Sequence, residues 1–134
     1  MLTQLLKRTG HFVIPMILFI GFSSCKKSSD KSSPTTVEYK ITPMNQYFTS
    51  IKYNDNTGSS ITLSDPSQFI NGVKDISISS KPFDAKLETQ INNTTAQTIN
   101  YTLAVLVNGQ VAKITQASAA PMQTSSSSVE YTIQ

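Results

Sequence analysis

Apolar and polar residues alternate along residues 83–91 with a period of two. The positions of one phase are Phe83, Ala85, Leu87, Thr89 and Ile91, and those of the other phase are Asp84, Lys86, Glu88 and Gln90. Because successive side chains of a β-strand point to opposite faces, this pattern predicts a strand with one dry and one solvated face. Such strands are typical of antiparallel sheets that are covered on one side.

The same period recurs over most of residues 37–134. It joins Val37, Tyr39 and Ile41 near the start, Ile61 with Leu63, Ile76 with Ile78, and Val129, Tyr131 and Ile133 at the end. Alternation also assigns Tyr47, Thr49, Ile51 and Tyr53 to one face. Phe48 is then out of phase, which predicts a ring that is exposed or covers a loop.

Residues 99–107 are apolar on both faces, since Ala104 and Leu106 interrupt the phase of Tyr101, Leu103 and Val105. This predicts a central strand. Asn108-Gly109 follows at once and favours a two-residue hairpin turn, after which residues 110–116 return. Residues 117–122 and the run Ser125 to Ser128 are small and polar, which predicts a flexible connection before the last strand.

Seven or eight short strands with turn signals between them predict an all-β fold. The expected architecture is an immunoglobulin-like antiparallel β-sandwich, and a small closed barrel is the alternative. A signal helix and a disordered linker are expected to precede it.

The N-terminal segment has the parts of a bacterial lipoprotein signal. Lys7 and Arg8 precede an apolar run of 11 residues, Phe12 to Phe22, and Ser23 and Ser24 then precede Cys25. A membrane-spanning helix needs about 20 apolar residues, so the run is typical of a signal peptide. The junction resembles a relaxed lipobox of the Bacteroidota type, which implies that Cys25 is acylated. The alternatives are ordinary signal cleavage, which makes Cys25 incidental, and an uncleaved anchor.

These features predict three segments. Residues 1–24 are a cleaved signal peptide, residues 25–36 are the acylated Cys25 and a Ser- and Pro-rich flexible linker, and residues 37–134 are the β-sandwich domain. The acyl chains predict a membrane-held protein of the cell envelope, on the periplasmic face of the inner or outer membrane. The linker lacks an acidic run, so we do not infer export to the cell surface.

Charge argues against nucleic acid as a partner. The whole chain is +3, but from residue 37 onward six Lys face seven Asp and Glu, which is a net charge of −1. Nucleic-acid binding requires clustered positive charge. The folded part therefore has no sequence feature that favours a nucleic-acid partner.

The residue inventory predicts a protein that is not an enzyme. From Cys25 onward the chain has no His, no Arg and no Trp, and Cys25 is its single cysteine. Nucleophilic triads and zinc sites need His or free thiols. We therefore expect no catalytic residue, no cofactor and no bound metal.

Two acidic patterns could in principle indicate a catalytic or a metal site. Asp84 and Glu88 share a strand face, as a glycosidase pair would, but Lys86 lies between them and favours a solvated face. The segment from Asp55 to Gly58 offers part of a calcium loop, but it is more typical of a hairpin turn.

The order of the strand motifs carries a resemblance. The segments VEYKIT, SIKYNDNTG, ISISSKPFDAKLETQI, YTLAVLVNGQVA and SVEYTIQ follow one another. They resemble the β-sandwich of the mycobacterial membrane protein small (MmpS) family at Val37, Tyr39, Tyr53, Asp55, Gly58, Val107, Asn108, Gly109 and Val111. The resemblance implies an extracytoplasmic accessory domain beside a large export transporter.

These patterns together predict a membrane-anchored accessory or scaffold domain that acts through protein contacts. The last strand is the expected partner edge, through Val129, Tyr131 and Ile133, because an unpaired edge accepts a partner strand. The alternative is a module that binds a small ligand or a glycan. An exposed aromatic cluster would favour that alternative, and a flat polar face with an open edge would favour protein contact.

Overall fold

The computed structural model describes residues 33–134, so the predicted signal peptide, Cys25 and the linker up to residue 32 lie outside the described residues. Eight strands form: β1 Thr35–Thr42, β2 Phe48–Asn54, β3 Ser60–Leu63, β4 Val73–Ile78, β5 Phe83–Asn93, β6 Ile99–Val107, β7 Gln110–Ala119 and β8 Gln123–Ile133. Two short 3₁₀ turns, Pro66–Gln68 and Ile70–Gly72, connect β3 to β4. β1 begins at Thr35, just before the predicted start of the domain at Val37.

The strands form two antiparallel sheets of four strands each. One sheet has the order β4-β1-β6-β7 and the other has the order β3-β2-β5-β8. This confirms the predicted antiparallel β-sandwich. β6 lies inside its sheet between β1 and β7, as its apolar sequence predicts. Each sheet ends in two edge strands, so the sandwich, and not the closed barrel, is the fold.

One hydrophobic core fills the space between the sheets. The inward positions of β5 are all buried, and those at the centre of β6 are buried with them: Phe83, Ala85, Leu87, Thr89, Ile91, Tyr101, Leu103 and Val105. Burial of one large aliphatic side chain contributes about 1.5–3 kcal/mol. Within residues 33–134 the buried hydrophobic residues lie between Val37 and Ile133 and form one cluster.

A β-bulge corrects the predicted face of β2. The pairing of β2 with β5 shifts register between Phe48 and Ser50. The extra residue puts Phe48 in phase with Ile51, and both side chains are buried, whereas Thr49 is exposed. Phe48 packs edge-on against Tyr101, with ring centroids 5.2 Å apart. The expectation of an exposed or loop-covering Phe48 is therefore wrong.

The predicted hairpin between β6 and β7 is present, and it is tied to the start of β1. Asn108 and Gly109 have φ values of 51° and 78°, which suit a type I′ turn. The Thr36 N–H donates to Asn108 Oδ1 at 3.0 Å, and the Asn108 N–H donates to the Thr36 carbonyl at 2.9 Å. The chain therefore reaches the sandwich at the end that carries this hairpin, which we call the N-terminal end.

The connection between β7 and β8 is short and held in place. Asn93 is buried, and its Nδ2 donates to the Ala119 and Ala120 carbonyls, each at 3.0 Å. The Met122 N–H also donates to the Thr95 carbonyl at 3.1 Å. The prediction of a flexible connection through residues 117–128 is wrong, because β7 runs to Ala119 and β8 already starts at Gln123.

Candidate functional site

β8 is an edge strand of the β3-β2-β5-β8 sheet. It pairs with β5 over its whole length, from Phe83 opposite Ile133 to Asn93 opposite Gln123, without a register shift. Among the described residues no strand pairs with its other edge. Every second residue of such an edge presents a free backbone N–H and C=O group. The predicted partner edge therefore lies on a strand whose backbone is open on one side.

The three predicted partner-edge residues differ in what they present. The side chains of Val129 and Ile133 are buried in the core, opposite Leu87 and Phe83. Tyr131 lies opposite the small Ala85 and is 38% exposed. A partner on this edge would therefore contact the backbone of β8 and the ring of Tyr131, but not the side chains of Val129 and Ile133.

The other three edge strands carry features that discourage strand addition. β3 has four residues, and β4 has six, among them Lys74 and Asp75. β7 has ten residues, but its pairing with β6 shifts register between Val105 and Leu106, and it carries Lys113. Short length, charge and bulges all protect an edge. β8 has 11 residues, no bulge and one charged residue, Glu130. It is the least protected edge.

The outer face beside β8 is polar. Its β8 positions are Thr124, Ser126, Ser128, Glu130 and Thr132, and each lies opposite a polar residue of β5. A shallow depression of about 380 Å³ crosses this face and is lined in part by Lys52, Gln90 and Ser126. No large apolar side chain lines it, so this face is polar and offers no ring on which a sugar could stack.

Charges on this face pair with one another. Glu88 lies 3.3 Å from the Lys52 ammonium and 3.2 Å from the Lys86 ammonium. The hydrogen bond from Lys86 is the main cause that holds the pKa of Glu88 below its usual range, and Lys52 adds to it. Asp84, the acid that shares this strand face with Glu88, accepts a hydrogen bond from Thr132 Oγ1 at 2.7 Å. Both acids are therefore engaged in pairs on a solvated face.

The Asp55 carboxylate accepts hydrogen bonds from donors within its own turn. Asp55 Oδ1 accepts from Thr57 Oγ1 at 2.7 Å, from the Thr57 N–H at 2.8 Å and from the Ser59 N–H at 2.9 Å. The Thr57 hydroxyl is the first cause that lowers the pKa of this carboxyl. The geometry is that of an Asx turn that closes the β2–β3 hairpin. In residues 33–134 no three His, Cys, Asp or Glu side chains are grouped as a metal site would need.

Most aromatic side chains are buried in the core. Tyr39, Tyr53 and Phe69 form a packed series, with centroid distances of 5.6 Å and 6.1 Å. Burial raises the pKa of Tyr39, whose hydroxyl donates to the Asn54 carbonyl at 2.8 Å. Within residues 33–134, Tyr131 is the one exposed aromatic side chain. The exposed aromatic cluster that would favour a glycan-binding module is not formed there.

A second exposed surface lies on the outer face of the other sheet. Leu106 pairs with Val111, and Ala104 pairs with Ile114. Val111 is 61% exposed and Ile114 is 56% exposed. Val111 and Ile114 thus continue, on the neighbouring strand, the apolar outer face of β6 that the sequence indicated through Ala104 and Leu106.

No protein family model and no curated protein matches this chain. No helix among residues 33–134 is long and apolar enough to cross a bilayer.

Proposed function

We propose that this chain is a lipid-anchored, non-catalytic domain that acts through protein contacts in the cell envelope, as an accessory or scaffold component. The observation that carries the proposal is the edge of β8, which is open, 11 residues long and free of bulges. An edge of this kind is a template for a partner strand, whose backbone supplies affinity through hydrogen bonds.

The contrast with ligand binding supports protein contact. Sugar-binding sites stack their ligands on exposed aromatic rings, and within residues 33–134 Tyr131 alone is such a ring. The face beside β8 is instead lined by hydroxyl, amide and paired charged groups. The ligand- or glycan-binding module is therefore the weaker candidate.

The anchor in this proposal is Cys25, which follows the apolar run and two serines. Acyl chains on Cys25 would hold the domain at the periplasmic face of the inner or outer membrane. One acyl chain alone gives marginal attachment, and two or three make it stable. The resemblance to the MmpS family supports placement outside the cytoplasm, with an export transporter as one candidate partner.

The non-catalytic part of the proposal comes from the residue inventory. The chain has no His or Arg after residue 24, and Cys25 is the single cysteine. Asp55, Asp84 and Glu88 each make hydrogen bonds or ion pairs with their neighbours. Hydrolysis of a panel of glycans or esters above background by the purified chain would contradict it.

Metabolic labelling tests the anchor. Cells that express the full chain are grown with an alkyne fatty acid, and the chain is then purified and coupled to a fluorophore. We expect label on the wild type and none on the Cys25→Ala variant. Ser128→Ala serves as a matched control that keeps Cys25. Equal labelling of wild type and Cys25→Ala would refute the lipid anchor.

A further inference from the structure

We infer that the partner strand on β8 is β8 of a second copy of this chain, in a two-fold dimer centred on Ser128. The inference rests on the proposed function, since it uses the same open edge and names its occupant. In this dimer the two sheets that contain β8 join into one antiparallel sheet of eight strands. A closed two-fold interface also removes the open edge from both copies.

The register centred on Ser128, the middle residue of β8, is the one that pairs the most residues. When Ser128 lies opposite Ser128 of the second copy, all 11 residues from Gln123 to Ile133 find a partner. Directly opposed residues of an antiparallel pair point to the same face. This register keeps outer residues opposite outer residues, since Thr124 meets Thr132 and Ser126 meets Glu130. It gives about ten backbone hydrogen bonds.

Charge favours this register over one centred on Glu130, and the adjacent registers, centred on Ser127 or Val129, leave fewer residues of β8 paired. Glu130 is the one charged residue of β8, and in this pairing each Glu130 faces the hydroxyl of Ser126 in the other copy. A register centred on Glu130 would instead place two carboxylates directly opposite each other, which destabilises a cross-strand pair. Hydroxyl pairs such as Thr124 with Thr132 are favourable in the same position.

The exposure of Tyr131 fits a second copy. Its ring is in the inward phase of β8 but remains 38% exposed at the open edge. In the proposed register Tyr131 lies opposite Ser125 of the second copy, whose small side chain leaves room for the ring. Tyrosine is enriched in protein interfaces because it combines a large apolar area with a polar tip.

The dimer also fits two anchors in one membrane. Antiparallel pairing puts the N-terminal ends of the two sandwiches at opposite ends of the pair, roughly 35 Å apart for a strand of 11 residues. Residues 26–34 reach at most roughly 30 Å when extended. Both acylated chains therefore reach one leaflet when the strands lie along the membrane surface. Confinement to a membrane raises the effective concentration of each copy for the other.

Disulfide crosslinking between introduced cysteines tests the register of the two β8 strands. The chain from residue 26 onward contains no cysteine, so each introduced thiol is unique, and it keeps every core residue found within residues 33–134. Ser128→Cys should form an intermolecular disulfide under mild oxidation, because opposed Cα atoms in an antiparallel pair are about 4.5–5.5 Å apart. Ser126→Cys and Glu130→Cys should each fail alone, since identical residues are then roughly 14 Å apart. A mixture of these two variants should crosslink.

The control is Ser118→Cys, which is exposed on the other long edge strand, β7. It should give only background crosslinking. If Ser128→Cys and the Ser126→Cys and Glu130→Cys mixture crosslink no more than Ser118→Cys, the dimer is refuted. Sedimentation equilibrium of the chain without substitutions should show a concentration-dependent dimer, and a monomer at every concentration would also refute it.

A charge pair gives a second, independent readout. Ser126 lies opposite neutral Gln90 within its own copy, and the diagonal Glu88 is already paired with Lys52 and Lys86, so a charge at this position acts mainly across the dimer. In the Ser126→Lys dimer each introduced lysine lies opposite Glu130 of the other copy, which makes two ion pairs and should raise the dimer affinity about three- to tenfold. Ser126→Glu should lower the dimer affinity by a similar factor. Equal dimer affinities for the two variants would contradict the register.

Crosslinking of the full-length chain in cells distinguishes failure of the dimer from failure of the proposed function. Oxidation of cells that carry Ser128→Cys should give a product of twice the chain mass. A product of another mass, with none at twice the mass, would refute self-pairing and still support protein contact through β8. Loss of the lipid label from Cys25 with retention of the dimer would refute the anchor alone.

Discussion

Leu103 and Lys86 show how the two faces of a strand differ in their effect on stability. Leu103 is fully buried at the centre of β6, between the inward positions of both sheets. Lys86 lies on the solvated face of β5, where its ammonium pairs with Glu88 at 3.2 Å. Exposed ion pairs contribute little to stability, whereas a buried aliphatic side chain contributes much more.

Leu103→Ala should lower the free energy of unfolding by about 2–5 kcal/mol, because it removes buried apolar surface and leaves a cavity. Lys86→Ala should change the free energy of unfolding by less than about 0.5 kcal/mol. Urea denaturation of the chain from residue 26 onward measures both. Equal midpoints for the two variants would show that the assignment of the two faces is wrong.

Single residues also mark where sequence reasoning succeeds and where it fails. The burial of Leu87 and Leu103 follows from local alternation, which depends on neighbours in the chain. Phe48 is different, because its burial depends on a bulge in the pairing of β2 with β5. The pairing partner of a strand is a tertiary property, so alternation alone predicted the wrong face.

At the scale of elements, the Asp55 turn is stabilised by a charged acceptor. The pKa of Asp55 in the folded chain is lowered, chiefly by the Thr57 hydroxyl. A group with a lowered folded pKa contributes its full stability above its unfolded pKa, about 3.9. This contribution is then lost as the pH falls through the lower folded value.

Asp55→Asn should therefore show a shallower loss of unfolding free energy than the wild type as the pH is lowered from about 5. Thr57→Val is the matched variant, because it keeps the carboxylate and removes the strongest donor, and it should give an intermediate slope. Urea denaturation at a series of pH values measures these slopes. Identical slopes for wild type and Asp55→Asn would contradict the hydrogen bonding of this turn.

β8 is the element that the sequence described least well. The alternation of its C-terminal residues, from Val129, predicts a strand, but the small polar residues Ser125 to Ser128 predict a flexible connection. Serine favours turns because its hydroxyl hydrogen-bonds to nearby backbone groups, so local propensity argues against a strand in this run. The strand extends through this run because each serine pairs with β5, from Ser125 opposite Ile91 to Ser128 opposite Glu88. The candidate edge is therefore longer than the sequence indicated.

For the whole molecule, the account depends on how the sandwich presents its edges. The two long edge strands, β7 and β8, follow each other in the chain, lie in different sheets and contact each other. The opposite edges are the short strands β3 and β4. One side of the domain therefore carries most of the open backbone, and β8 is its least protected part.

The central claim is that the domain makes its protein contacts through β8, and site-specific photocrosslinking in cells tests it most directly. A photoreactive residue replaces Ser126 or Ser128 on β8, or Ser77 on the β4 edge as a control, in the full chain. All three positions are exposed, so none disturbs the core. We expect protein crosslinks from both β8 positions and background crosslinking from Ser77. Crosslinking from Ser77 equal to that from β8, or none from β8 in membrane-bound chains, would contradict the claim.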